Sequence, residues 1–187
     1  MGAAEGAGCC GGCCGGAGAV LKAAEALLDQ CERIVGAVDD ACYGRASAVL
    51  RGGTIGKHLR HTLDHYGAIL AHAIGGEPID YDRRARGVAV ETDRGAARSH
   101  IALLRTGVAG LRGAAGEPVT IRVMLSEDGE EALLESTVAR EVAFATHHGV
   151  HHVAMMKAIA GEMGIELAAD AGKAASTIQY ERTAASA

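Results

Sequence analysis

The chain has no tryptophan, one phenylalanine and four tyrosines, so aromatic residues make up only 3% of it. A core without large rings must be filled by Ala, Val, Leu, Ile and Met, which suits close helix packing better than a β-sandwich. Proline occurs twice in 187 residues, so long helices meet few covalent breaks. No run of 18 apolar residues is present, which argues against a transmembrane helix. A basic excess is also missing. The formal charge is −5, so the chain as a whole lacks the field that draws proteins to nucleic acid. There is no basic stretch followed by an apolar segment and a small-residue cleavage site. The expected compartment is reducing and cytoplasmic.

Cysteine is present but unevenly placed. Cys9, Cys10, Cys13 and Cys14 sit in a Gly/Ala-rich start, while Cys31 and Cys42 fall in helical sequence. This is not the spacing of a secreted disulfide framework. Residues 1–18 carry almost no charge or bulk and are expected to be a disordered tail. Zinc binding by paired cysteines, or lipidation of the tail, are the alternatives. The myristoylation pattern calls for Ser or Thr where this chain has Gly6.

The expected fold class is all-α, a four-helix bundle with one long crossover and a small β-hairpin before the last helix. The first helix is expected over Ala19–Tyr43, with Leu27, Leu28, Cys31, Ile34, Val35 and Val38 as its apolar stripe. The second runs over Thr54–Ile74, started by Thr54 as N-cap between the breaks Gly52-Gly53 and Gly75-Gly76. A polar connection of the length of Glu77–Asp93 either carries function or spans a bundle. Arg94–Arg112 is the third helix. Val119, Ile121 and Val123 then alternate with polar residues, Asp128-Gly129 offers a turn, and Leu133–Val138 can pair back. The fourth helix covers Thr137–Met163 with Gly164 as its stop. The bundle is expected to occupy residues 19–180, with residues 181–187 frayed.

Histidine is where the chemistry concentrates. Four of nine histidines fall in His147-His148-Gly149-Val150-His151-His152, and three more in His58-Leu59-Arg60-His61-Thr62-Leu63-Asp64-His65. Histidines four apart stack on one helical face. A third from a neighbouring helix completes a three-nitrogen metal site with an open position. At about 100° per residue, His148 and His152 share the face of Val142, Ala145, Gly149 and Met156, whereas His147 and His151 fall outside it. The alternative is that the buried pair is satisfied by backbone or glutamate without metal. In the second helix the apolar face is Ile55, Leu59, Thr62, Tyr66, Ile69, Leu70 and Ala73. His58, His61, His65 and His72 flank it. Periodicity places His58 nearest that face and His61 furthest.

Glu141 shares the inner face of the last helix, but seven residues separate it from His148, about 10 Å along the axis. That suits a supporting or structural role better than ligation. Arg83, Arg84 and Arg86 are candidates for recognising carboxylates; the alternative is a solvated loop pinned by Asp80, Asp82, Glu91 and Asp93. No Ser-His-Asp or Cys-His arrangement and no phosphate-binding glycine motif stands out.

The segment Thr54-Ile55-Gly56-Lys57-His58-Leu59-Arg60-His61-Thr62-Leu63-Asp64-His65-Tyr66 resembles the second-helix motif of the DinB/YfiT-like family of metal-dependent four-helix bundles. Tyr81-Asp82-Arg83-Arg84-Ala85-Arg86 with Glu91-Thr92-Asp93 resembles a loop of one bacterial-type branch. So do Ser136-Thr137 leading to Arg140-Glu141, the His148/His152 spacing, and Ala175-Ser176-Thr177-Ile178-Gln179-Tyr180. The resemblance implies an up-down-down-up bundle and a divalent metal, Zn, Ni or Fe, held by His61, His148 and His152. At His61 it departs from the periodicity ranking. Characterised relatives include transferases and isomerases that use a low-molecular-weight thiol such as mycothiol or bacillithiol. The implied activity is therefore metal-dependent thiol transfer or isomerisation. A non-catalytic metal-binding stress protein and a metal-dependent hydrolase are the alternatives. The expected partners are a small-molecule substrate or thiol, with a homodimer as a candidate assembly; the family name lends no support to DNA binding.

Overall fold

The computed structural model describes residues 11–186. It is mostly helical. Helix α1 spans Gly11–Ala37, α2 Asp40–Tyr43, α3 Ile55–Gly75, α4 Arg94–Gly110, α5 Val138–Glu162 and α6 Ala175–Ala185. Three strands accompany them: β1 (Ile79–Asp80), β2 (Pro118–Met124) and β3 (Glu131–Thr137). No helix among the described residues is long and apolar enough to cross a membrane.

The long helices begin and end where local chemistry dictates. Thr54 accepts a hydrogen bond from the Lys57 amide at 3.0 Å and so caps α3. Thr137 caps α5 in the same way through Arg140 N, and Asp93 caps α4 through Gly95 N and Ala96 N. Gly76 closes α3 at φ +71°, a left-handed conformation that glycine adopts without a Cβ penalty.

α3 packs against α4 and α5, and α1 packs against the same two helices. α1 and α3 therefore lie on a diagonal. The stripe expected on α1 is its buried face: Leu27, Leu28, Cys31, Ile34, Val35 and Val38 are all at most 3% exposed. Ile55, Leu59, Leu63, Tyr66 and Ile69 answer it from α3, with Ile101 and Leu104 from α4 and Val142, Val153 and Met156 from α5. Burial pushes the Cys31 thiol up to about 12, so it packs as a neutral apolar group.

Gly149 sets how closely these helices approach. A Cβ there would stand 2.3 Å from Leu27 Cδ2 and 3.0 Å from Thr62 Cγ2. The one residue type without a side chain thus lets α5 lie tight against α1 and α3, and it does so between His148 and His152.

Several expectations require correction. The expected continuous helix to Tyr43 breaks after Ala37, because Asp39 takes an extended conformation and caps α2 through Cys42 N at 2.7 Å. An aspartate favours that cap over an interior helical position. α1 starts at Gly11, so eight residues of the expected 1–18 tail are helical; a helix anchored by Leu21 and Ala24 extends cheaply once nucleated. Residues 1–10 lie outside the described residues, as do the cysteine side chains on which the zinc and lipidation alternatives rest. Residues 181–185, expected to be frayed, are the end of helix α6, favoured by Ala, Gln, Glu and Arg of good helix propensity.

The class is also not purely all-α. The expected hairpin pairs β2 with β3 in register Ile121↔Leu134, and β1 adds to β2 in parallel, Ile79 opposite Ile121. The sheet order is β1-β2-β3. Two residues of strand gave no periodicity to read. Their effect is to tie the start of the crossover to the hairpin and fix where Tyr81 and Arg84 lie.

Candidate metal centre

α3 and α5 each present histidines one turn apart to the same space. From α3 come His61 and His65, from α5 His148 and His152. His65 is 4% exposed and His152 8%, while His148 and His61 are half-buried and His147 and His151 are exposed. The angular argument for the last helix thus holds for buried His152 and for exposed His147 and His151, while His148, expected to be buried, is only half so.

The ring nitrogens converge. His61 Nε2 lies 2.8 Å from His148 Nε2, and His148 Nε2 lies 3.1 Å from His152 Nε2. The ring centroids of His61 and His152 are 4.4 Å apart. His61, His65 and His148 form a group whose potential ligand atoms all lie within 4.8 Å of one another. The grouping thus takes in His65, which the family resemblance does not assign. His58 stands behind it, with Nδ1 3.0 Å from Nδ1 of His152.

Hydrogen bonding alone leaves this arrangement short. A neutral imidazole nitrogen carries either one proton or one lone pair. His148 Nε2 faces two ring nitrogens and can satisfy only one as a hydrogen-bond partner. Nitrogens bound tetrahedrally to zinc at about 2.0–2.1 Å would be separated by about 3.3 Å. The observed 2.8 and 3.1 Å spacings lie slightly inside that edge length; the group whose potential ligand atoms all lie within 4.8 Å of one another takes in His61, His65 and His148 and leaves out His152.

The surroundings keep the rings neutral. Burial first, then repulsion from neighbouring rings and Arg84, holds His61 down to about 3, against an ordinary 6.5. Burial and the neighbouring histidines hold His148 to about 4 and His152 to about 3. His65 is lowered chiefly by burial. A neutral imidazole is the form with a lone pair for a metal. The tautomer of His65 is also set: its Nδ1 donates to the His61 carbonyl at 2.9 Å, which leaves Nε2 with the free lone pair.

A second layer of side chains holds the histidines in place. Tyr81 stacks on His65 at 4.8 Å between centroids and 17° between planes. Its hydroxyl donates to Glu141 Oε2 at 2.7 Å. Phe144, one turn before His148, stacks on that ring at 5.9 Å. Glu141 itself is fully buried and also accepts from Ser136 Oγ and from Arg140 Nη1 at 2.8 Å. With three donors on it, the carboxylate holds Tyr81 and the start of α5 in place. Burial and the hydrogen bond to Glu141 raise the Tyr81 hydroxyl above its usual range, so it remains a donor.

The crossover acids are engaged much as the structural reading of that loop requires. Asp80 accepts from the amides of Asp82 and Arg83, and Asp82 from Met124 N. Glu91 accepts from Gly87 N and pairs with Arg60 at 3.2 Å. Arg83 pairs with Glu131 at 2.9 Å, and Arg86 is exposed. Arg84 differs, since its Nη1 donates to the Tyr81 carbonyl at 2.7 Å.

The sequence reading missed Tyr81 and Phe144 as ring partners. The 61/65 spacing matches the 148/152 spacing and was the available signal for His65. Tyr81 opens the loop that carries the resemblance, but nothing local marked its ring as a partner of His65, which it reaches through β1.

No protein-family model matches the chain, and no solved structure matches it. A similar curated protein is FK506-binding protein 5 of Rhizopus delemar, 28% identical over 104 residues. That stretch covers 54% of this chain and 27% of that protein. A similarity of this extent fixes no family for the chain.

Proposed function

We propose that the chain binds one divalent ion through His61, His148 and His152 and uses the fourth coordination position to activate a low-molecular-weight thiol against an electrophilic small molecule. The observation that carries this reading is the approach of three Nε2 atoms from two helices, at 2.8 and 3.1 Å from the central His148. The DinB/YfiT-like resemblance of the second and last helices agrees with the same three histidines.

A bound divalent ion lowers the pKa of a coordinated thiol and holds it as thiolate. The residues of the chain supply the rest. Burial keeps His61, His148 and His152 neutral and available. His65, anchored on the His61 carbonyl and stacked on Tyr81, packs against His61 and His148 and fixes their orientation. Glu141 is buried beneath three donors, which weighs against its serving as a general base in the hydrolase alternative.

A second reading rests on His65. It forms the 4.8 Å group with His61 and His148, so binding by His152 as well would make four imidazoles. Four nitrogens would close the ion off, as in a protein that holds metal without catalysis. X-ray absorption of the zinc-loaded protein separates the two. Three imidazoles with one exchangeable light atom, replaced by sulfur on adding a small thiol, is the expected result. Four imidazoles and no sulfur on thiol addition would overturn the catalytic reading. Purified protein without any retained divalent ion, even after incubation with zinc, would overturn both.

A further inference from the structure

α3, α4 and the crossover line an open cavity of about 500 Å³ that none of His61, His65, His148 and His152 lines; Tyr81 is in its wall and also stacks on His65. Ala68 and Ala71 of α3 form an apolar wall, Tyr81 and Arg84 come from the crossover, and Asp64 and His100 complete it. The acids around it are largely committed. Asp64 is paired with Arg60 at 2.8 Å, and Asp80 accepts two backbone amides and faces Arg83 and Arg122. Glu77 is exposed to solvent.

Arg84 makes no ion pair, although Asp64 in the same cavity is near enough for its charge to favour the ionised carboxylate. No carboxylate lies within ion-pair distance of it among the described residues, and its only hydrogen bond goes to the Tyr81 carbonyl. Its Nε is buried and has no acceptor. A planar carboxylate fits the terminal nitrogens of a guanidinium in two parallel hydrogen bonds. Arg84 is also close enough to oppose protonation of His61, His65 and His148. Tyr81 joins the two places, as cavity wall and as the ring stacked on His65.

We propose that this cavity binds the carboxylate of a small anionic thiol, with Arg84 as its anchor, and so selects charged thiols over neutral ones for the neighbouring histidine centre. This rests on the thiol-activating reading above and names its ligand class.

Two probes separate the inference from that reading. In cobalt-loaded protein, N-acetylcysteine offers a thiol and a carboxylate, while 2-mercaptoethanol offers the thiol alone. The sulfur-to-cobalt absorption band should saturate at lower concentration with N-acetylcysteine. Arg84→Ala should raise that concentration about 10- to 100-fold more than it shifts the 2-mercaptoethanol titration, and Arg84→Lys should partly rescue it. An unchanged N-acetylcysteine titration in Arg84→Ala would overturn the inference. The second probe is N-acetylserine, which keeps the carboxylate and lacks the thiol, added to metal-free protein. The Arg84 Nε–H resonance should shift on titration. A shift there without any cobalt band would sink the thiol chemistry and leave the carboxylate site standing. No shift would overturn the site whatever the metal does.

Discussion

His61 of α3 and His148 of α5 bring their Nε2 atoms to 2.8 Å from each other across 87 residues of sequence. Two neutral imidazoles can share one proton at that distance, but His148 Nε2 is also 3.1 Å from His152 Nε2. One nitrogen thus faces two others and can pair with only one of them through a proton.

Single alanine replacements at these histidines should rank in a defined order. His61→Ala, His148→Ala and His152→Ala should each weaken metal binding by more than about 100-fold, whereas His65→Ala should weaken it by about 10- to 100-fold, as an orienting residue does. His147→Ala and His151→Ala, both exposed, should leave it unchanged. Competition with a chelator at one fixed pH measures all six. A larger loss for His65→Ala than for His152→Ala would exchange their roles.

Gly149→Ala tests the tight helix approach. Its Cβ would meet Leu27 and Thr62 at 2.3 and 3.0 Å, and overpacking of this kind costs about 1–3 kcal/mol. Denaturant unfolding should show that loss, with a matching loss of metal affinity as α5 is pushed from α3. Full stability would mean the helices have slack at this crossing.

Tyr81→Phe separates stacking from hydrogen bonding. The ring that lies on His65 remains, while the buried Glu141 carboxylate loses one of its three donors. Stability should fall by about 1–3 kcal/mol with metal affinity changed less than about tenfold. A collapse of metal affinity with unchanged stability would show that the hydroxyl, rather than the ring, supports the centre.

The metal-free protein should be acid-sensitive. Folded His61 and His152 are held to about 3 and His148 to about 4, against 6.5 when unfolded. Between those values the unfolded chain binds protons that the folded chain does not. The stabilising contribution is therefore complete above about pH 6.5 and is lost as pH falls toward about 4. Melting temperatures measured from about pH 7.5 to about 4.5 should decline, and His61→Gln/His152→Gln should flatten the decline. A flat profile for the unmodified chain would contradict the buried neutral histidines.

The amino-acid sequence by itself determined the features that repeat along a helix. The α1 stripe, the Thr54 cap and the inward direction of His148 and His152 follow from a rotation of about 100° per residue and from side-chain chemistry next to the backbone. The hairpin was legible for the same reason, as an alternation ended by a turn. Only the tertiary structure decided what meets across the chain. The sequence could rank the flank histidines of α3 against their own apolar face, but α5 packs on that flank, so the half-buried His61 reaches His148. β1 is two residues long and exists because β2 is beside it; its pairing carries Tyr81 to His65 and places Arg84 at the cavity. Such contacts depend on distance in space between segments far apart in sequence, and no local period records them.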